Sequence, residues 1–186
     1  MELNNRFDIN GNPVAALSPS DFTAHCSKVF NAYALSKNLV KGDIVFVPEL
    51  VPLGEKAVLE IIANDLLQKE YGDKPMLFYY VVLEYALKTG ILLGAKWELN
   101  FEGLTADSYK ETVSLALHGE ADQLLAEMGL ATEAKHDEFF MELHKKWHEL
   151  TLPYTKLKDQ RYYISGSLFA AFQLGMTMIL DSLQEE

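Results

Sequence analysis

Residues 76–98, MLFYYVVLEYALKTGILLGAKWE, form the longest apolar run in the chain and limit its fold more than any other stretch. Charge enters this run only at Glu84, Lys88, Lys96 and the closing Glu98. A helix that is apolar around most of its circumference must be surrounded by other elements, so it belongs at the centre of a bundle. Within it Ala86, Gly90 and Gly94 stand four apart and leave a ridge without side chains along one face. The final helical stretch, 162–183, repeats the device with Ser167, Ala171 and Gly175. Glycine inside a helix costs about 1 kcal/mol relative to alanine, so two in one ridge call for a compensating close approach of another backbone. Three neighbours fit: the other small-residue helix of the same chain, the same helix of a second subunit across a two-fold axis, or a ligand.

The remaining segments supply the rest of a mainly α bundle of five or six helices. Residues 1–17 read as an extended arm or short hairpin, with Asn10-Gly11 as the turn and Pro13 restricting the second arm to an edge. Ser18-Pro19-Ser20-Asp21 is a helix start, and Phe22, Cys26, Val29, Phe30 and Tyr33 give the helix an inner face to about Ser36. Residues 43–47, DIVFV, read as one short strand before Pro48. Residues 55–71 form an amphipathic helix with Val58, Leu59, Ile62, Leu66 and Leu67 inward, closed by Gly72 and Pro75. Thr105 and Thr132 open two further helices, and Gly119 is placed to bend or split the first of them. No linker or low-complexity segment divides residues 1–186, which are expected to be one domain: an arm at 1–17 and a bundle over 18–186.

The formal net charge of −11 argues against nucleic-acid binding, which relies on Lys and Arg, and equally against docking on an anionic membrane. The two apolar runs approach a membrane span in length, but Glu84 with Lys88, and Gln173 with Asp181, are costly in lipid. With a single cysteine, a polar start and no apolar signal core, the expected location is cytoplasmic.

Candidate chemistry is sparse. Glu84 with Lys88 four residues later reads as a solvent-facing ion pair on a narrow strip of the central helix. His144 and His148 share one helix face at metal-ligand spacing, but Lys145 and Trp147 stand where a zinc peptidase motif needs glutamate. His136-Asp137 resembles the His-Asp doublet of the HD superfamily of helical phosphohydrolases. That resemblance implies a metal held also by an upstream histidine, for which His118 is available, and a downstream Asp159 or Asp181. Glu133-Ala-Lys-His136 matches one Glu-x-x-His unit of di-iron bundles, without the second unit those proteins need. Cys26 lies on an apolar helix face and reads as a small core residue. No phosphate-binding glycine loop and no nucleophile elbow occur.

The expectation from sequence is therefore a non-enzymatic helical protein without cofactor, working through self-association, as a dimer for example, or through a protein partner. The alternatives are an HD-like metal-dependent phosphohydrolase and an acidic mimic of nucleic acid. Scattered carboxylates weigh against the mimic, which needs them along one surface.

Overall fold

The computed structural model describes residues 5–7, 10–15, 17–42 and 48–184. The chain is mainly helical. Two short strands, β1 (Asn5–Phe7) and β2 (Pro13–Ala15), pair antiparallel with Asn5 opposite Ala15 and Phe7 opposite Pro13. Gly11 between them has φ +83°, a conformation that glycine adopts without strain. The strand expected at 43–47 lies outside the described residues.

Eight α-helices follow among the described residues: α1 (Pro19–Ser36), α2 (Leu50–Ile62), α3 (Asp65–Tyr71), α4 (Pro75–Trp97), α5 (Ala106–Leu117), α6 (Ala121–Glu127), α7 (Glu133–Thr151) and α8 (Gln160–Leu183). This exceeds the five or six expected, because two stretches of continuous helical spacing are each broken once. At the first break Asn64 turns its side-chain oxygen onto the N–H groups of Leu66 and Leu67, 3.1 and 3.2 Å away, and so starts α3 as a new helix. The second break is at Gly119, whose φ of +84° ends α5 before α6 begins. The restart also changes which residues face inward. Val58 and Leu67 are buried, whereas Leu59 and Leu66, expected in the core, are 59% and 70% exposed.

The helix starts read from sequence follow local chemistry. Ser18 accepts the Asp21 N–H and returns a hydroxyl bond to its carboxylate at 2.7 Å, Thr105 forms a capping box with Ser108, and Thr132 caps α7 through Lys135.

Helices α4 and α8 make the centre. They run in the same direction: Gly90 lies against Phe172 and Met176, and Gly94 against Met176 and Ile179. The backbones touch at two points. A Cβ at Gly90 would overlap the Phe172 carbonyl, and one at Gly175 would overlap the Leu87 carbonyl. Ala86 and Ala171 are fully buried, and Ser167 accepts the indole N–H of Trp147 at 2.7 Å, which ties α7 to α8. The ridge is therefore filled from within the chain, and the contact across a two-fold axis considered above has no surface there. Both helices are long and apolar enough to cross a bilayer, yet 56% of the most apolar window of α4 and 83% of that of α8 is buried within this protein.

On its other side α8 receives α1 and α2 through two more small residues. Gly166 accommodates Thr23 of α1, and Gly54 of α2 accommodates the Phe169 ring.

Candidate functional site

Most of the candidate residues converge on the seam between α4, α6 and α7. Lys88 is only 6% exposed, so the ion pair expected on the surface has its amine buried and its carboxylates at the border of solvent. Its ammonium lies 2.8 Å from Glu84 Oε1 and 2.9 Å from Asp122 Oδ1, with the Phe140 and Tyr85 rings 5.6 and 5.7 Å away. Burial alone would push the Lys88 pKa down, but the two carboxylates outweigh it and hold the amine above its ordinary value. The sequence hides this, because the second carboxylate comes from another helix.

Three of the histidines, His136, His144 and His148, lie along the same seam. His136 Nε2 is 4.0 Å from Asp122, and its Nδ1 is 3.6 Å from Asp137. His144 stacks on Tyr80 at 4.9 Å between centroids, and His148 meets that ring edge-on at 6.4 Å. His118 is exposed at the end of α5 and donates from Nδ1 to the Ser114 carbonyl at 2.6 Å. Asp181 accepts the Lys41 backbone N–H at 2.8 Å. Among the described residues no three His, Cys, Asp or Glu side chains are placed to share an ion. The ligand set implied by the HD resemblance is thus not assembled. Cys26 is fully buried, and burial pushes its thiol up to about 12, which removes the thiolate that nucleophilic chemistry requires.

Burial also lowers the His144 pKa from its ordinary 6.5, although the nearby Glu84 charge opposes the shift. A base depressed in the folded state favours folding while neutral, and the unfolded chain gains a proton first on acidification. Folding stability should therefore fall as pH drops through 6.5, then level off below the folded-state value. Urea titrations between neutral and mildly acidic pH, compared with those of His144→Asn, should show a shallower slope in the variant; parallel curves would refute the assignment.

Two surface grooves lie elsewhere. One, of about 570 Å³, runs along α1 over α8, with Ala24, Ser27, Lys28 and Ala32 on the α1 side and Phe169 and Gln173 beneath. A second, of about 540 Å³, continues between α1 and α2 past Val51, Val58, Leu59 and Tyr162. Ser20, Thr23 and Phe169 border both, so the two grooves adjoin along these residues. The floor of the first holds a buried polar pair, in which the Ser27 hydroxyl donates to Gln173 Oε1 at 2.8 Å. Sequence reasoning missed this site because serine, alanine and glutamine at helical spacing resemble an ordinary wet face. The available signal was Gln173, the amide in the most apolar part of the last helix.

Comparison with protein-family models, with curated proteins and with solved structures found no match.

Proposed function

We propose that this chain is a binding protein without catalysis of its own, and that its working surface is the adjoining pair of grooves over α8 beside α1 and α2, used together as one two-armed groove. One observation carries the reading: the groove is open and mostly apolar with a few convergent polar groups, the usual character of a ligand site. By contrast, the charged cluster around Lys88 is closed upon itself, each charge being met by a protein partner. The sequence expectation of action through contact rather than chemistry is kept, but the contact is moved from the glycine ridge to this groove.

The test uses a neutral reporter. Nile red added to the full chain should give a saturable fluorescence increase, lost in Ala24→Trp and Ala32→Trp, which fill the groove from exposed positions of α1 and leave the core untouched. No saturable signal, or one unchanged in both variants, would refute the groove as the working surface. Stoichiometric transition metal in purified protein would reinstate the hydrolase reading.

A further inference from the structure

Gln173 is 8% exposed and lines the α1 groove; its Oε1 is taken by Ser27, and its Nε2 makes no hydrogen bond among the described residues. That Nε2 is open to the groove rather than sealed in the core, so it can donate to an acceptor on whatever fills the groove. Asn31 on the same floor turns its own Nδ2 away, onto the Gly42 carbonyl at 3.0 Å.

The charge around this donor has one sign. The chain carries 27 acidic against 16 basic side chains, yet among the described residues no carboxylate lines the α1 arm of the groove. Its charged group is Lys28, an exposed cation with no ion pair among the described residues. In an acidic protein, a cavity whose described lining offers a lysine at the rim and an amide N–H2 at the floor favours an anionic head. The other arm, beyond Phe169, is walled by Val51, Val58 and the exposed Leu59, and its charged group is Glu55. That carboxylate repels an anion from the far arm, so the head belongs at Lys28 and the apolar remainder runs over Phe169.

We infer that the groove binds an amphipathic carboxylate: one carboxylate held by Lys28 Nζ and Gln173 Nε2, with an aliphatic tail lying across Phe169 towards Val58 and Leu59. The inference rests on the binding role proposed above and gives it a ligand class. A combined head and tail uses both arms, whereas a small polar anion would leave the apolar arm wet. An alcohol of the same length would leave the Lys28 charge unanswered.

The test is calorimetric titration of the full chain with sodium decanoate below its micellar concentration, with decanol as the uncharged comparison. One saturable site is expected, with decanol weaker by about tenfold or more, because charge-assisted hydrogen bonds to the head are lost. Lys28→Glu, at an exposed position, should weaken decanoate by about tenfold or more and weaken it far more than Nile red. Ala32→Trp should abolish both, and Gln173→Met should weaken decanoate more than it weakens Nile red. Absence of saturable decanoate binding, equal binding of decanol, or indifference to Lys28→Glu would each overturn the ligand class. Nile red separates the two levels: if it binds and decanoate does not, the groove stands and the carboxylate fails; if neither binds, both fail.

Discussion

Gly90→Ala should destabilise the protein by about 2–3 kcal/mol, although the same change at an ordinary helix position stabilises by about 1 kcal/mol. The sign reverses because the new methyl would overlap the Phe172 carbonyl oxygen, which belongs to the backbone of a 24-residue helix and has no rotamer to escape into. Only separation of α4 from α8 relieves the clash, and that opens the centre of the core. Gly175→Ala should behave alike, since its methyl would meet the Leu87 carbonyl. The double variant should lose less than the sum of the two, because one separation relieves both overlaps. Gly94→Ala is the internal comparison: its methyl meets a side-chain atom of Ile179 rather than a backbone carbonyl, and a side chain can shift without parting the two helices, so its cost should be smaller. Urea midpoints with an unchanged slope decide the matter. A Gly90→Ala protein as stable as the parent would mean that the two helices do not approach as described.

The second large effect is an asymmetry at Lys88. Removing both its partners without changing shape, as Glu84→Gln with Asp122→Asn, should cost about 3–5 kcal/mol at neutral pH, because a buried cation is left uncompensated. Removing the cation instead, as Lys88→Met, should cost about 1 kcal/mol or less, since a well-packed apolar replacement for a buried ion is often neutral. The exposures set this order: Lys88 has a side chain only 7% exposed, whereas those of Glu84 and Asp122 are 27% and 55% exposed and can return to water. Each single carboxylate change should be milder than the pair, because the other partner remains.

Titration adds a second readout with opposite signs. In the parent protein the Lys88 pKa is raised, so its contribution is present below its ordinary 10.5 and is lost as pH rises through the folded-state value. In the doubly neutralised variant burial acts alone and depresses that pKa, so stability should climb as pH rises towards 10.5. Equal costs for Lys88→Met and for the double carboxylate change would show that the amine is hydrated after all.

What the sequence discloses here is mostly what chemistry decides locally. Ser18, Thr105 and Thr132 cap helices through atoms three residues away, so their roles can be read without the fold. The apolar length of α4 and the four-residue spacing of its small residues are likewise legible. The neighbour that fills the ridge is not, because that depends on the path of the chain between α4 and α8. Leu66 shows a second kind of failure: the spacing continues smoothly from Val58 through Leu67, yet Asn64 satisfies two backbone donors more locally and redirects the next turn. Lys88 shows a third. Its charge and the i,i+4 position of Glu84 describe a surface pair, until α6 delivers Asp122 and α7 covers the amine with Phe140. The groove was invisible for a similar reason, since its amide, its cation and its apolar wall come from three helices that meet only in the folded molecule.

The common direction of α4 and α8 also governs when this core can exist. Helices that run parallel cannot be joined by a short turn; the chain must travel back along the full length of α4, about 35 Å at 1.5 Å per residue, before α8 begins. Here α5, α6 and α7 make that return journey, so the two halves of the central contact are emitted far apart during synthesis. Loop-closure entropy is met before that contact gives anything back, which slows folding relative to a bundle of adjacent hairpins. On the ribosome, α4 waits with its glycine face uncovered until α8 has emerged, and this interval is when the nascent chain is most open to aggregation or to a chaperone.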